Sequence, residues 1–206
     1  MNIKKIQQGI NKKIMQPIVI RKRKRKWGLQ PITIISSDCS GGILCHDYGL
    51  PLDSPTVNLM IEGKDFIKFC SNLSYYLECD LIEEKIHPEC DYPIAYCDDI
   101  RILGVHYKSF LELKETWDRR KKRVHQEMIY LMTERQLTNE KCYSEFFSLK
   151  GRKLFLSSKE FALKNDKALG LLEFDRMFMF KGLTGHRYLD VEFNFAEWLL
   201  KEYKRN

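Results

Sequence analysis

Between Ile32 and Gly42 the chain reads Ile-Thr-Ile-Ile-Ser-Ser-Asp-Cys-Ser-Gly-Gly, an apolar β-prone stretch that runs straight into a small polar loop. Ile32, Ile34 and Ile35 with Thr33 predict a short buried strand, and Gly41 and Gly42 permit a tight turn with N–H groups aimed at a ligand. An α/β protein presents a nucleophile or cradles an anion in this way. Ser37-Asp38-Cys39-Ser40-Gly41 approaches the small-x-nucleophile-x-Gly elbow of hydrolases, with Ser37 in place of the first glycine. Cys39 is therefore either a nucleophile or a small buried residue, the commoner use of a free cysteine.

A second strand is expected within Asp98–Tyr107, with Asp98 and Asp99 leading into it and His106 just past its apolar end. In a parallel sheet, Cys39 and His106 would share the C-terminal edge, where open α/β sheets place ligands. A histidine in reach of a thiol can take its proton and hold a thiolate. Glu62 follows a further expected strand at Val57–Ile61 and would lie on the same edge, placed to orient His106. Ser37, Gly41 and Gly42 then face substrate. Ser54 and Thr56, set among Pro51 and Pro55, either contact substrate or cap their turn.

The rest of the chain alternates strand and helix as a parallel sheet requires. After the Cys39 loop a short helix is expected to stop near Gly49, a helix from Asp65 to Tyr76, strands near Leu81, Ile94 and Lys153–Leu156 with Ser157 or Ser158 capping the next helix, and a closing helix started by Asn194-x-x-Glu197. Ser109-x-x-Glu112 predicts the start of a long helix to about Met132, whose apolar stripe includes Leu113, Trp117 and Val124. On that wheel Arg120 points inward. A buried guanidinium requires a carboxylate, a phosphate or several carbonyls. Glu62, Asp65 and Asp99 are the expected carboxylates, and a substrate phosphate is the alternative. Lys108 and Arg119 join Arg120 as cationic candidates for gathering a polyanionic donor. No cluster with metal-ligand spacing, no nucleotide-binding glycine fingerprint and no P-loop is present.

The segments 36–42, Gly-Leu-Pro-Leu-Asp-Ser-Pro-Thr (49–56), Asp-Phe-Ile-Lys-Phe (65–69), Tyr-Pro-Ile (92–94), Asp-Asp-Ile-Arg-Ile (98–102), His-Tyr-Lys-Ser (106–109) and Trp-Asp-Arg-Arg-Lys-Lys-Arg (117–123) resemble, in order, a bacterial family of unknown function. Its members are labelled exopolysaccharide biosynthesis proteins, some of them acetyltransferases. The resemblance covers residues 30–200, and Asp38 and Ser40 depart from its Ser-Asn-Asn-Cys-Trp-Gly-Gly pattern. It implies a single α/β domain and a surface-polysaccharide context. The reaction expected with it is acyl transfer to a saccharide or lipid-linked saccharide, with Cys39 as nucleophile or His106 as base. Acetyl-coenzyme A is a fitting donor, and no tightly bound cofactor is expected. A glycosyl or other group transferase, or a non-catalytic adaptor, is the alternative.

The 206 residues carry a net charge of +7, unevenly placed. Arg21–Lys26 is an unbroken basic run ending at Trp27, and before it Ile3, Ile6, Ile10 and Ile14 recur at helical spacing among lysines. Residues 1–28 thus read as a basic arm or amphipathic helix, ahead of one three-layer α/β/α domain, 29–206, with a mostly parallel sheet. Residues 1–27 suit an anionic membrane surface. Nucleic acid is disfavoured, because aromatics are not interleaved with the basic residues. Seven cysteines without a Cys-x-x-Cys pair fit a reducing cytosol, and no apolar run reaches the ~20 residues of a membrane span. The expected location is cytoplasmic, peripheral on the inner face of the membrane.

Overall fold

The computed structural model describes residues 3–85 and 90–204. In chain order the first elements are α1 (Ile3–Ile10), a π-helical turn (Asn11–Met15), α2 (Gln16–Trp27), β1 (Thr33–Ser36), α3 (Ser40–Tyr48), α4 (Gly63–Ser71) and α5 (Leu73–Glu78). There follow β2 (Leu81–Glu83), β3 (Ile94–Cys97), β4 (Ile100–Leu103), α6 (Phe110–Lys121), β5 (Met128–Thr133), α7 (Lys141–Ser148), β6 (Arg152–Ser158), α8 (Lys159–Lys164), β7 (Leu169–Leu171), α9 (Tyr188–Glu192) and α10 (Phe195–Lys204). The fold is α/β. A four-stranded parallel sheet in the order β1-β5-β6-β7 is flanked by helices, and β2-β3-β4 form a small antiparallel sheet. No helix among the described residues is long and apolar enough to cross a membrane.

The chain divides into two compact units, one of residues 1–31, 43–51 and 156–206, the other of 32–42 and 52–155. In the second, β1 pairs in parallel with β5 from Thr33↔Met128 to Ser36↔Leu131. All four β1 residues are buried, as in a strand covered on both faces. The core beside it is aromatic, with Phe69 and Trp117 6.0 Å apart and Phe66 and Phe146 6.4 Å apart between ring centres. In the first unit, α10 seats Phe195 against Tyr48 at 5.2 Å.

Several local signals act as expected. Ser109 Oγ accepts from the Glu112 amide at 3.2 Å and Ser158 Oγ from the Phe161 amide at 3.2 Å, each cap worth ~1 kcal/mol. Asn194 Oδ1 accepts from the Glu197 amide at the start of α10.

Four expectations are corrected. The helix begun at Ser109 ends at Lys121, and Met128–Thr133 is the strand beside β1. An apolar run of six fits either period, and the parallel partner decides it. Val57–Ile61 is a turn with one bridge, Met60↔Leu103, rather than a strand. The helix expected over 65–76 breaks at Asn72 into α4 and α5. Finally, β4 belongs to the antiparallel sheet. It is joined to β3 by the two-residue loop Asp98-Asp99, with Asp98 at φ 54° as such tight turns demand.

Candidate functional site

The loop after β1 is bound up with itself. Asp38 Oδ1 accepts from the Ser40 amide at 2.9 Å, and its Oδ2 accepts from Thr133 Oγ1 at 2.8 Å. Ser36 Oγ takes the Gly41 amide at 3.2 Å, so that N–H is not free to receive a developing oxyanion. The Ser36 amide donates to Thr56 Oγ1 at 2.9 Å, and Ser54 Oγ lies 2.9 Å from the same atom. Ser54 and Thr56 are buried and serve to clasp the end of β1. Ser37 is buried too, its amide donating to Leu131 O and its carbonyl accepting from the Ile61 amide. A Cβ on Gly41 would stand 2.7 Å from Ser36 Cβ, and one on Gly42 would stand 3.1 Å from Val57 Cγ1. Glycine is required at 41 for close packing.

Cys39 is half-buried, and burial, reinforced by the neighbouring Asp38 charge, pushes its thiol up to about 11. At neutral pH it is a thiol, a weaker nucleophile than a thiolate. His106 is exposed in the turn after β4. Because β4 is not in the parallel sheet, the shared edge that would join His106 to Cys39 does not exist, and among the described residues no hydrogen bond links them. Glu62 is exposed at the N-cap of α4, where its side chain makes no cap bond.

Arg120 is half-buried, as the wheel required, with Leu113, Thr116 and Trp117 on the buried side of α6. Its Nη1 donates to Val57 O at 3.2 Å and Tyr107 Oη at 3.0 Å, and Tyr107 Oη donates to Val57 O. A carbonyl and a phenol thus stand where a carboxylate was expected, Asp65 and Asp99 being engaged by the Arg101 amide and by Lys68 and Tyr76. Lys108 and Arg119 are exposed. The Lys108 amide donates to the Glu112 carboxylate, and Arg119 Nη2 makes a long contact of 3.4 Å to Thr116 Oγ1.

A richer cluster lies within the first unit, where sequence reading placed only a basic arm. Gln16, Val19 and Arg23 share one face of α2, and Arg23 turns inward out of the basic run. Its Nη2 pairs with Asp190 Oδ1 at 2.9 Å, its Nη1 donates to Asp47 O at 3.0 Å, and its guanidinium stacks 4.5 Å from the centre of the Tyr48 ring. The Arg23 and Asp190 side chains are 11% and 3% exposed, so the pair is almost wholly desolvated. Asp47 is buried as well, accepting from Gln16 Nε2 at 2.6 Å and Arg187 Nε at 2.7 Å. The Arg187 amide closes the ladder on Asp190 Oδ2 at 2.8 Å. Every buried charge here has an opposite or hydrogen-bonding partner, as burial demands.

His186 Nδ1 lies 3.2 Å from Arg23 Nη2. An arginine only donates, so Nδ1 accepts and the ring proton sits on Nε2, which makes His186 a donor to whatever lies beside it. The cluster borders a cavity of about 370 Å³ lined by Ile18, Lys22, Lys26, Trp27, Tyr48, His186 and Asn194 among others. A second hollow of about 310 Å³ shares Arg23, Trp27 and Tyr48 with it. Lys26 Nζ stands 4.5 Å over the Trp27 ring. Gly49 ends α3 in the left-handed conformation, φ 65°, and the stem of Lys24 lies over it where a side chain would collide. The sequence did carry a signal for the inward face, since Gln16, Val19, Arg23 and Trp27 recur at i+3 and i+4.

The cavity combines ammonium groups, an imidazole N–H and the half-buried Trp27 ring, while its buried carboxylate is spent on Arg23. Such a lining binds anions and stacks on a flat or apolar ring face.

Comparison with known proteins adds membership and no activity. A relative described as an uncharacterized protein of Haemophilus influenzae (strain ATCC 51907 / DSM 11121 / KW20 / Rd) is 30% identical over 203 residues, covering 94% of this chain and 96% of that protein. The model of the family described as Domain of unknown function (DUF1919) matches residues 10–200, which span both the loop after β1 and the lining of the cavity. The chain therefore belongs to the DUF1919 family.

Proposed function

We propose that this chain is a transferase of bacterial surface-polysaccharide synthesis whose first unit grips a phosphate-bearing saccharide precursor. The observation that carries the reading is the cavity lined by Lys22, Lys26, Trp27, Tyr48, His186 and Asn194. Phosphate is matched by the ammonium groups and the His186 Nε2–H, the apolar face of a sugar ring by Trp27, and sugar hydroxyls by Asn194. The polysaccharide context comes from the ordered motifs between residues 36 and 123. Acyl transfer from acetyl-coenzyme A to a sugar hydroxyl is the leading reaction, with glycosyl transfer as the alternative.

Calorimetric titration with glucose 1-phosphate, inorganic phosphate and glucose tests the recognition step. Glucose 1-phosphate should bind tightest, and Trp27→Ala should weaken it about tenfold, the worth of one aromatic contact. Equal affinity for inorganic phosphate would reject the saccharide, and binding of none would reject the site. The reaction is tested by mass spectrometry of surface polysaccharide from wild-type and deletion strains. Loss of a substituent from the repeat supports transfer, and an unaltered polymer overturns it.

A further inference from the structure

We infer that the helical run of residues 3–27 docks on an anionic lipid bilayer and lies along its surface. Ten basic and no acidic residues fall between 3 and 27, which leaves 25 basic against 28 acidic residues in the rest of the chain. The whole positive excess of the molecule therefore sits on one helical run.

One face of the run is committed within its own unit. Asn11, Gln16 and Val19 are buried, Asn11 Oδ1 accepts from the Gly185 amide at 2.9 Å, and Arg23 is paired with Asp190. Beside that face runs a stripe of isoleucines in steps of three or four, of which Ile3, Ile6, Ile14 and Ile18 are 70%, 38%, 55% and 48% exposed. Lys4, Lys5, Lys12, Lys13, Arg21 and Lys22 flank the stripe and are exposed. A single surface isoleucine is ordinary, but a solvated arm has no use for four in line. Isoleucines enter the boundary between headgroups and acyl chains while ammonium and guanidinium groups meet lipid phosphates, so the two features have one explanation. Nucleic acid would answer the charge and leave the isoleucines unexplained. Ile18 and Lys22 also line the cavity, which brings its rim to the docked side, and the docking holds whatever the cavity binds.

The test is co-sedimentation of the full chain with phosphatidylcholine vesicles containing about 30% phosphatidylglycerol, against pure phosphatidylcholine vesicles, at low and high salt. The chain should pellet with the anionic vesicles alone and release as the Debye length falls from about 10 Å at 0.1 M towards about 3 Å at 1 M salt. Replacing Ile3, Ile6, Ile14 and Ile18 together by serine keeps every charge and should weaken binding at least about tenfold, as should Lys4→Glu with Lys5→Glu, Lys12→Glu and Lys13→Glu. Circular dichroism and the melting temperature verify that both variants fold; the wild-type arms of the experiment depend on neither. Docking is overturned if anionic vesicles do not bind the chain or if the serine variant binds like wild type. It is equally overturned if duplex DNA strips the chain from vesicles at equal phosphate concentration.

Discussion

The loop after β1 and the cluster around Arg23 are mirror images in what they promise and what they hold. Residues 36–42 look like an active site in sequence, yet the Ser36 and Ser40 hydroxyls, the Asp38 carboxylate and the Gly41 amide are consumed by one another and by Thr133, while Ser37 Oγ is sealed in the interior. Residues 21–26 look like a solvated charge run, yet one of the six turns inward to hold two acidic residues and an imidazole beside a cavity. Polar density in a short segment measures neither burial nor availability. A compact polar loop satisfies itself because its partners are near; a lone arginine in a basic run reaches partners that no local window contains.

The sharpest break of this contrast is Arg23→Ala. It leaves Asp190 buried without its cation and should cost about 3 kcal/mol in urea denaturation, whereas Lys22→Ala, at an exposed position, should stay within about 0.5 kcal/mol. Equal, small effects would return Arg23 to the surface. Gly41→Ala comes next. The added methyl meets Ser36 Cβ and Ile34 Cγ2, so stability should fall by about 1–3 kcal/mol in the same assay, while affinity for glucose 1-phosphate in the folded variant is unchanged.

Cys39 gives a smaller, pH-dependent signal. Its thiol is held up to about 11 against an ordinary 9.0, and the thiolate fraction grows as pH rises towards the raised value. Iodoacetamide labelling of Cys39, followed by peptide mass spectrometry, should therefore still be climbing at about pH 10, since the thiolate is the reacting form. A plateau by about pH 8 would restore the activated nucleophile. Smallest of all is His106→Ala. An exposed imidazole outside the parallel sheet should change the unfolding free energy by less than about 0.5 kcal/mol.

What could be read beforehand divides along the same line. β1, α3, β6 and the starts of α6, α8 and α10 were legible because their signals are local: an apolar run, a glycine stop at 49, capping by Ser109, Ser158 and Asn194. The overrun of α6 arose because Lys122 and Arg123 carry no stop signal and Met128–Leu131 keeps a phase compatible with Leu113. The sheet membership of β4 was not legible from its own residues. Its clue was the Asp98-Asp99 pair, read as the approach to a strand and found as the loop of a hairpin. For the site, Arg120 was placed inward correctly because its phase is a property of α6 alone, while its partners Val57 O and Tyr107 Oη were not, being a backbone atom and a phenol. The Arg23 cluster escaped because Asp47, His186 and Asp190 are distant in sequence and carry no motif.

That separation also orders the birth of the molecule. Arg23 and His186 are 163 residues apart, so at roughly 5–20 residues per second a nascent chain offers α2 to the cell for about ten to thirty seconds before His186 and Asp190 are made. The second unit is complete by residue 155 and can close while the ribosome is still translating. The first unit draws on residues 156–206 as well as on 1–31 and 43–51, so it is finished after the second. During that interval the most basic helix of the protein lacks Asp190, and whatever anionic surface it meets first competes with Asp190 for Arg23.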